Sequence, residues 1–447
     1  MYVRLIFFIV SLVLYLKSPD VYDWTFCFWC MMIYLAEVVI CLGKEFKLGH
    51  FLTFNLLFFF SFFWTSFAYP VLLYDTPAGY LSIMIDHINW DVLSHSTSLC
   101  LLFASTYLLA YGDPSKKDYI QISNFRSTGG KSVLWLKIAF AILIAEAFMY
   151  LYRAGFNYAD FAYDVAFWDV YFVLLALCLI EQAKKKSENP NILEFIKLNK
   201  FPVFSALFII ILFMMFGDRG PAIKTVLICG AIYYYYYKKV RFIRIVLIGG
   251  LGAALMFFIR QTRAYGSLFE MMSDVNVLLS VFDLKYGVLY MFADLYGATM
   301  ELNVAYDYAL HHELFHPERI LAVPLTAVPY LPTIVLSIFG TSMAEFSTGA
   351  ELNRQMAAFD SNFGNHVVGD LFMSTGMLGV VIFAFLLGLV SKKLTGKRFE
   401  SEAYAVAYMM LFSFALYLPR DSVFTLVRPL ALSFILLYFI LPKRKKI

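Results

Sequence analysis

The stretch that decides the fold is residues 201–237, which reads FPVFSALFIIILFMMFGDRGPAIKTVLICGAIYYYYY. Two apolar runs, 201–216 and 221–237, flank one short charged turn. Lipid offers no hydrogen-bond partner to the peptide backbone, so an apolar run of this kind crosses a bilayer as a helix, at roughly 20 residues per crossing. The stretch therefore predicts a helical hairpin with its turn at one face of a membrane.

The same alternation of apolar runs and polar turns extends along the whole chain. Of its 447 residues, 61% are hydrophobic and 15% are charged, which excludes an ordinary water-soluble protein. The sequence predicts an all-α, polytopic integral membrane protein that forms a single membrane domain over residues 1–447. About 12 transmembrane helices are expected at this span length, near residues 3–16, 22–42, 50–70, 93–111, 132–151, 164–182, 201–216, 221–237, 243–260, 367–390, 402–418 and 425–441.

Basic residues set the expected orientation of these helices. Most of the 36 lysines and arginines fall in alternate turns, at 44–47, 116–131, 184–200, 238–244, 392–398 and 443–446. Because cytoplasmic turns of membrane proteins carry an excess of lysine and arginine, both termini are predicted to be cytoplasmic. The net charge of +4 does not indicate nucleic-acid binding, since the basic residues sit between apolar runs.

Residues 261–366 are predicted to form one large loop on the outer face. Within it, the apolar segment 320–339 carries Pro324, Pro329 and Pro332. Treating this segment as a crossing would place the last basic turns outside, against the orientation rule. We therefore expect a re-entrant or interfacial hairpin, which is tolerated at membrane depth where protein or a water-filled cavity surrounds it.

Six arginines lie at the outer ends of the later predicted helices. An arginine near a bilayer is energetically costly, so several that converge on one face indicate an anionic ligand. Guanidinium groups suit phosphate because they donate two parallel, charge-assisted hydrogen bonds. The alternative is that each pairs with a nearby carboxylate, as Asp218, Asp360 and Asp421 would allow. The candidate phosphate-binding arginines are Arg219, Arg260, Arg263, Arg354, Arg420 and Arg428.

The turn at 217–220, Gly-Asp-Arg-Gly, is the sharpest local feature. Its glycines permit unusual backbone angles, and Pro221 is suited to the first turn of the next helix. Arg219 is thus expected at the outer mouth, beside the positive end of a helix dipole, where a phosphate would also meet free N–H groups. Lys224 lies one turn deeper and is predicted to join the same phosphate site.

A second group of polar residues opens the predicted helix at 367. His366 is a candidate proton acceptor for a sugar hydroxyl because histidine titrates near neutral pH, and Asn365 and Asp370 flank it. A helix-capping or interfacial histidine is the alternative. Four acidic residues of the outer loop are rival bases: Asp283, Asp294, Glu301 and Asp307.

Three other motifs have structural alternatives. Residues 312–316, His-Glu-Leu-Phe-His, match the HExxH pattern of zinc proteases, but Pro317 disfavours helical geometry at the second histidine. Contact of His311, His312 and His316 with substrate or lipid headgroups is the other interpretation. Cys27-x-x-Cys30 lies in an apolar run and is interpreted as two small apolar residues. The five tyrosines 233–237 precede a basic turn and are interpreted as an interfacial aromatic belt.

Three segments resemble a bacterial polysaccharide polymerase of the O-antigen (Wzy) type. Arg219 and Gly230 fit the Arg-x10-Gly pattern of that family. Residues 369–379, Gly-Asp-Leu-Phe-Met-Ser-Thr-Gly-Met-Leu-Gly, resemble a late membrane helix of these polymerases and of related ligases. The third segment is Leu-Pro-Arg-Asp-Ser at 418–422, between the last two predicted helices. A long outer loop after the ninth predicted helix and cytoplasmic termini also fit the family's plan.

The resemblance implies a glycosyltransferase of the bacterial inner membrane that polymerises O-antigen or capsular polysaccharide. Two undecaprenyl-pyrophosphate-linked glycans would meet at the periplasmic face, and the reducing-end sugar of the growing chain would move onto a hydroxyl of a new repeat unit. Undecaprenyl pyrophosphate would leave. Arg219, His366 and Asp370 are the expected catalytic residues. No cofactor or metal is expected, because several cations can neutralise the pyrophosphate. Membrane lipid, a flippase and a chain-length regulator are the expected partners.

Two other functions use similar architectures. A ligase would transfer finished glycan once, onto lipid A or a protein, with the same arginines. A lipid-linked oligosaccharide flippase, or another transporter, usually shows internal repeats, broken helices and charges near the bilayer midplane. The two halves of this sequence show no repeat and most charges lie at one face, while Lys137 and Lys224 favour transport.

Overall fold

The computed structural model describes residues 2–47, 51–75, 88–112, 130–153, 167–187, 190–215, 220–250, 252, 295, 297–316, 323–328, 331–338, 340, 347–355, 365–422 and 424–441. Within these ranges every regular element is helical, because a helix satisfies its backbone hydrogen bonds inside one apolar segment. The α-helices are α1 (Tyr2–Leu16), α2 (Trp24–Lys47), α3 (Phe54–Ser66), α4 (Leu93–Tyr111), α5 (Lys131–Arg153), α6 (Trp168–Gln182), α7 (Ile192–Leu198), α8 (Lys200–Met215), α9 (Gly220–Ile232), α10 (Ala298–His311), α11 (Leu331–Ile338), α12 (Thr348–Gln355), α13 (Val367–Lys397), α14 (Glu402–Ser413) and α15 (Phe424–Ile440).

Shorter helical pieces extend or connect several of these helices, and residues 242–250 are helical as well. Two pieces are π-helical, Tyr69–Leu73 and Tyr233–Tyr237. Four are 3-10 helices: Trp90–Val92, Ala183–Lys185, Val323–Ala327 and Leu418–Arg420.

Four described segments are long and apolar enough to cross a membrane: Trp24–Gly43, Trp90–Tyr111, Lys131–Met149 and Val367–Lys397. Together, α7 and most of α8 meet the same criteria as a pair bent by 100°. Three shorter apolar helices lie in α1, α3 and α15. The prediction of an all-α membrane protein is confirmed. Helix lies at each predicted position, while the number of crossings stays a prediction.

Close helix packing around α13 depends on two glycines. This helix packs against α4 and α10. A Cβ added to Gly388 would lie 2.4 Å from the carbonyl oxygen of Tyr107 in α4. One added to Gly369 would lie 3.2 Å from the Cα of Leu302 in α10. Each neighbour therefore approaches the backbone of α13 at a distance that excludes a larger side chain.

A break in the middle of α13 is held by a segment of the predicted outer loop. Gly376 interrupts the helix with a φ of 65°, a left-handed conformation that favours glycine. Just before the break, the carbonyl of Met373 accepts a 2.9 Å hydrogen bond from the N–H of Phe315. Phe315 is buried against residues that include Tyr69 and Leu93. The segment that follows α10 is thus anchored on α13.

The proline-rich segment of the loop forms two short pieces. The 3-10 helix Val323–Ala327 packs against α15, and α11 follows it. At 1.5 Å per residue α11 is only about 12 Å long, whereas the hydrocarbon core of a bilayer is about 30 Å thick. The re-entrant or interfacial hairpin, and the face on which it lies, stay predictions.

Hydrogen bonds between helix ends join residues that the charge pattern places on the same face. At one end, the N–H of Asn89 before α4 bonds to Oδ1 of Asn303 in α10 at 2.9 Å. We call this the outer end after its predicted face. At the opposite end, Tyr236 Oη donates to the carbonyl of Arg398 at 3.0 Å. We call this the inner end.

Three of the five tyrosines after α9 are core residues at the inner end, so the interpretation of these three as an interfacial belt is wrong. Tyr234, Tyr236 and Tyr237 are at most 4% exposed. Tyr237 Oη accepts a 2.9 Å hydrogen bond from Asn199 Nδ2 and donates to the Leu179 carbonyl at 3.1 Å. Tyrosine can be buried in this way because its hydroxyl finds partners inside the protein. The run joins the inner ends of several helices.

A buried polar group completes the inner end. Glu45 accepts hydrogen bonds from Thr53 at 2.8 Å, Tyr111 at 2.6 Å and Asn55 at 3.2 Å. Arg398 is 2% exposed and lies over the rings of Tyr235 and Tyr408, at 5.1 and 5.3 Å. Buried polar networks with this many partners are rigid. Hydrogen bonds and ring contacts therefore hold the described helices together at the inner end.

Candidate active site

Three of the cations predicted from the sequence come together at the outer end. Lys224 lies in α9, Arg420 in the turn Leu418–Arg420, and Arg428 in α15. They meet because α9 packs against α14, while α15 packs against α6 and α14. Two carboxylates, Asp169 of α6 and Asp421, lie among them. We call these five side chains the charge cluster.

Arg428 connects three elements of the site. Its Nη1 lies 3.7 Å from Oδ2 of Asp169, and its Nε donates to the Thr326 carbonyl at 3.3 Å. Lys224 and Asp421 also act electrostatically on Asp169. The two contacts of Arg428 engage two of the five N–H donors of a guanidinium. Because the side chain is 33% exposed, it can present further donors to an anion.

Lys224 is accommodated by aromatic rings at the start of an apolar helix. Its Nζ lies 3.8 Å from the centre of the Phe414 ring and 5.9 Å from that of Tyr417. The negative face of an aromatic ring attracts a cation, and the charge cluster supplies two carboxylates as well. Lys224 is therefore fixed within the cluster, which explains why a lysine is found in this part of the helix.

Asp421 is the carboxylate of the charge cluster that lies outside the helices. Its Oδ1 accepts a 2.8 Å hydrogen bond from the N–H of Ser422, and the side chain is partly exposed. Burial raises the pKa of the Asp421 carboxyl above its ordinary value, and this is opposed by the positive charges of Lys224 and Arg420. A carboxylate with a raised pKa is better suited to accept a proton than an ordinary one.

Asp370 joins α13 to two neighbouring segments. It is 3% exposed, its Oδ1 accepts a 2.5 Å hydrogen bond from Thr348 Oγ1, and its Oδ2 accepts a 2.8 Å hydrogen bond from Ser422 Oγ. Thr348 begins α12, and Ser422 directly follows Asp421. Asp370 thus lies behind the charge cluster and holds the turn that carries Arg420.

His366 is the N-cap of α13. Its Nδ1 accepts a 3.2 Å hydrogen bond from the N–H of Val368, which leaves the proton on Nε2, 3.2 Å from Ser66 Oγ. It is 1% exposed, and burial lowers its pKa to about 3. These contacts favour the capping alternative, because both ring nitrogens have partners. Proton transfer by His366 stays a prediction.

The other predicted site residues lie apart from the charge cluster or outside the described residues. Arg354 is 62% exposed and pairs with Glu351 at 3.0 Å, within α12. Asp307 accepts a 2.8 Å hydrogen bond from Asn89, and Glu301 lies in the first turn of α10. Five predicted residues fall outside the described ranges: Arg219, Arg260, Arg263, Asp283 and Asp294.

The HExxH motif lacks the helical geometry that a zinc protease requires. α10 ends at His311, His312 has an extended backbone, and His316 has a φ of 40°. The two histidines of a zinc-protease motif must share one helical face. The His312 ring instead stacks on Tyr308 with a centroid distance of 4.3 Å. In the part of the chain that the structure describes, no three His, Cys, Asp or Glu side chains form a group that could hold a metal ion.

Sequence reasoning missed Asp169, Thr326 and Thr348, and it named Ser422 only as part of the segment 418–422 that resembles the polymerase family. Asp169 sits at the start of a predicted apolar helix, and the rarity of intramembrane carboxylates is a signal that could have identified it. Thr326, Thr348 and Ser422 give no such signal, because neutral hydroxyl residues are common in loops. Only the packing of three distant segments brings them to Arg428 and Asp370.

Comparison with known proteins gives one result that covers nearly the whole chain. The model of the family described as O-antigen polysaccharide polymerase Wzy matches residues 1–444. The matched region includes the charge cluster, the broken helix α13 and both helix ends described above. No curated protein and no solved structure matches the chain.

Proposed function

The chain belongs to the O-antigen polysaccharide polymerase Wzy family, and on that premise we propose that it joins undecaprenyl-pyrophosphate-linked repeat units into O-antigen or capsular polysaccharide. In this proposal the enzyme lies in the bacterial inner membrane with both termini in the cytoplasm and acts at the periplasmic face. The charge cluster is the observation that carries the proposal, since it gathers Lys224, Arg420 and Arg428 at the outer end. A flippase that supplies repeat units and a chain-length regulator are the proposed partners.

The proposed reaction is a glycosyl transfer. The oxygen of an acceptor hydroxyl attacks the anomeric carbon of the reducing-end sugar on the growing chain. The new carbon–oxygen bond forms as the bond from that carbon to the pyrophosphate oxygen breaks, and the departing undecaprenyl pyrophosphate keeps the electron pair. The acceptor proton passes to a carboxylate of the protein. Negative charge therefore develops on the leaving oxygen, where preorganised cations stabilise the transition state.

Lys224, Arg420 and Arg428 hold the pyrophosphate in this proposal. Phe414 and Asp169 fix Lys224 and Arg428 before substrate arrives, so little reorganisation is needed when charge develops. Guanidinium groups suit a diphosphate because each can donate two parallel hydrogen bonds. The sequence-predicted Arg219, Arg260, Arg263 and Arg354 stay in the proposed pyrophosphate site as further cations.

We assign the acceptor's proton to Asp421. This carboxylate is partly exposed, lies beside the cations that would hold the leaving group, and has a pKa raised by burial. Asp370 and His366 then act as positioning residues, because their polar atoms are directed at Thr348, Ser422, Val368 and Ser66. The sequence predicts His366 as the base, whereas the geometry favours Asp421.

The inner end supports a polymerase over a flippase. A flippase must open a polar path to both faces of the membrane. Here Glu45, Arg398 and the tyrosines 233–237 join the described helices at the inner end through buried hydrogen bonds and ring contacts. The charge cluster, in which Arg428 and Asp421 are partly exposed, lies at the outer end. Chemistry at one face suits this distribution better than passage between faces.

Reconstitution tests the proposal directly. The purified protein is placed in liposomes with undecaprenyl-pyrophosphate-linked repeat unit, and the products are separated on a gel, with and without a chelator. We expect a ladder of polymer lengths that persists with chelator and disappears in Arg428→Lys combined with Lys224→Ala. Substrate that moves to the opposite leaflet without forming a ladder would contradict the polymerase assignment.

A further inference from the structure

A patch of aromatic rings lies at the outer end, formed by the segments around the starts of α2 and α4 and the end of α3. The centroids of Tyr22 and Trp90 are 5.1 Å apart, those of Tyr22 and Tyr74 are 6.1 Å apart, and those of Trp24 and Tyr74 are 6.3 Å apart. Trp24, Tyr74 and Trp90 are 40%, 40% and 39% exposed. We call these four side chains the aromatic patch. The centroid of each ring lies within 6.3 Å of that of another ring in the patch, and three of the four side chains are exposed.

Two of the four rings of the aromatic patch are held by hydrogen bonds. Tyr22 Oη donates a 2.7 Å hydrogen bond to the carbonyl of Pro70, and Trp24 Nε1 donates to the carbonyl of Val71 at 3.0 Å. Both carbonyls belong to the π-helical piece Tyr69–Leu73. These two bonds fix Tyr22 and Trp24, while Trp24, Tyr74 and Trp90 keep about two fifths of their surface exposed. A rigid, partly exposed aromatic surface loses little conformational entropy when a ligand packs on it.

The rim of the aromatic patch is acidic. Asp23 lies between Tyr22 and Trp24 in the chain, Asp75 follows Tyr74, and Asp91 follows Trp90. All three aspartates are exposed, as is Asp20 in the same connection as Asp23. The described part of these segments therefore carries four carboxylates and one ammonium group, that of Lys17. Anionic lipid headgroups and pyrophosphate are repelled by such a rim. Aromatic belts at membrane interfaces are adjacent to those same headgroups.

We infer that the aromatic patch is a saccharide subsite, which binds neutral sugars of the growing polysaccharide. The C–H groups on one face of a sugar ring carry partial positive charge and pack against the negative face of an aromatic ring. Carboxylates at the rim accept hydrogen bonds from sugar hydroxyls. This inference rests on the proposed function, since it takes the ligand to be the enzyme's own product. The outer end would then hold two sites of opposite charge, a cationic one for pyrophosphate and an acidic one for glycan.

A second contact links the aromatic patch to the rest of the outer end. Asn89, directly before Trp90, exchanges two hydrogen bonds of 2.9 Å with Asn303 of α10 and donates a third to Asp307 at 2.8 Å. Through α10, which packs against α13, the patch is fixed relative to the helix that carries Asp370. A polysaccharide on the patch is therefore held at a constant distance from the site of transfer, which favours repeated additions to the same chain.

The test measures chain length and glycan binding separately. Trp90→Ala and Tyr74→Ala remove exposed rings, and Trp29→Ala is the matched control, because Trp29 lies on α2 outside the patch and is 56% exposed. The binding probe is the neutral repeat-unit oligosaccharide released from its lipid carrier, followed by saturation-transfer NMR on the wild-type protein and each variant in nanodiscs. The functional readout is the length distribution of the ladder, together with the rate of the first coupling between two repeat units.

We expect the Trp90→Ala protein to bind the free oligosaccharide about fivefold more weakly, to make shorter polymers, and to keep the rate of the first coupling. Trp90→Phe restores most of both losses, and Trp29→Ala changes neither. Unchanged binding and unchanged chain length in Trp90→Ala would overturn the inference. So would equal effects of Trp90→Ala and Trp29→Ala, which indicate an interfacial belt. A wild-type protein that binds the oligosaccharide but forms no ladder would overturn the proposed function and leave the saccharide subsite standing.

Discussion

Ser422 Oγ donates a 2.8 Å hydrogen bond to Oδ2 of Asp370, so the turn that carries Arg420 and Asp421 is fastened to the start of α13. The other oxygen of the same carboxylate accepts a 2.5 Å hydrogen bond from Thr348 of α12. One buried carboxylate therefore holds two segments that are far apart in the sequence, and the position of the charge cluster depends on it.

Asp370→Asn should lower the free energy of unfolding by about 1–3 kcal/mol, because the amide nitrogen cannot accept the hydrogen bond of a hydroxyl. Activity should fall with it, since the turn is no longer fixed. Ser422→Ala removes one of the two bonds and should have an intermediate effect. Thermal unfolding in detergent and the polymer ladder measure the two quantities. Asp370→Asn with full stability and full activity would show that the turn does not depend on this carboxylate.

Arg428→Ala should reduce both stability and activity, since it leaves Asp169 without its ion-pair partner. The loss of stability should be about 1–2 kcal/mol, because the pair is partly exposed. Adding Asp169→Asn removes the unpaired charge, so the double variant should regain stability while activity stays low. Recovery of activity in the double variant would mean that Arg428 only neutralises Asp169 and does not bind pyrophosphate.

The rate of polymerisation should fall as the pH is lowered toward the pKa of Asp421. A base works in its deprotonated form, and burial raises this pKa above the ordinary carboxyl value, so the loss occurs at a higher pH than for a solvated aspartate. At pH values above this pKa, Asp421→Asn should reduce the rate about 100-fold or more, while Asp421→Glu should retain part of it. A pH–rate profile that is the same in wild type and Asp421→Asn would remove Asp421 from the proton transfer.

His366→Asn and His366→Ala distinguish a cap from a base. Asparagine can accept the hydrogen bond from Val368 as histidine does, whereas alanine cannot, so only His366→Ala should lose about 1 kcal/mol of stability. If His366 is a cap, His366→Asn keeps most of the activity. Loss of activity in both variants at unchanged stability would restore His366 as the proton acceptor. The measurements are thermal unfolding and the initial coupling rate.

Gly388→Ala and Gly396→Ala make a matched pair within α13. The added methyl group at 388 meets the Tyr107 carbonyl at 2.4 Å, whereas nothing lies within 4 Å of the corresponding position at 396. Gly388→Ala should therefore cost about 1–3 kcal/mol through overpacking, and Gly396→Ala should stabilise the helix by about 0.5–1 kcal/mol. Equal melting temperatures for the two variants would show that α4 and α13 can move apart at no cost.

The helices could be predicted from the sequence because lipid allows few alternatives. Apolar runs between charged turns predicted helix at the right places, and the grouping of Lys224, Arg420 and Arg428 followed from placing every second turn on one face. Local chemistry also predicted helix starts, such as the cap at His366 that appeared as an alternative to catalysis. The helix positions hold because they depend on short stretches of sequence, whereas the assignment of the turns to the two faces stays a prediction.

The network behind the site could not be predicted, because it depends on pairs that are distant in the sequence. Nothing near Asp370 indicates that its partners are Thr348 and Ser422. The interpretation of Tyr234, Tyr236 and Tyr237 as an interfacial belt is wrong for a related reason, since a position beside basic residues suits an interface as well as a core. Burial of a tyrosine is decided by whether its hydroxyl finds a partner, and those partners come from other helices.

The break at Gly376 divides α13 into two helical segments with different surroundings. Residues 367–374 of the outer segment are buried, and Thr348, Ser422 and Phe315 donate hydrogen bonds to this segment. The inner segment packs Gly388 against α4 but leaves Leu378, Ile382 and Leu386 more than half exposed on its other side. A single helix therefore passes from a protein-enclosed stretch that orders the site to a stretch with an apolar flank of the kind that lipid tails cover.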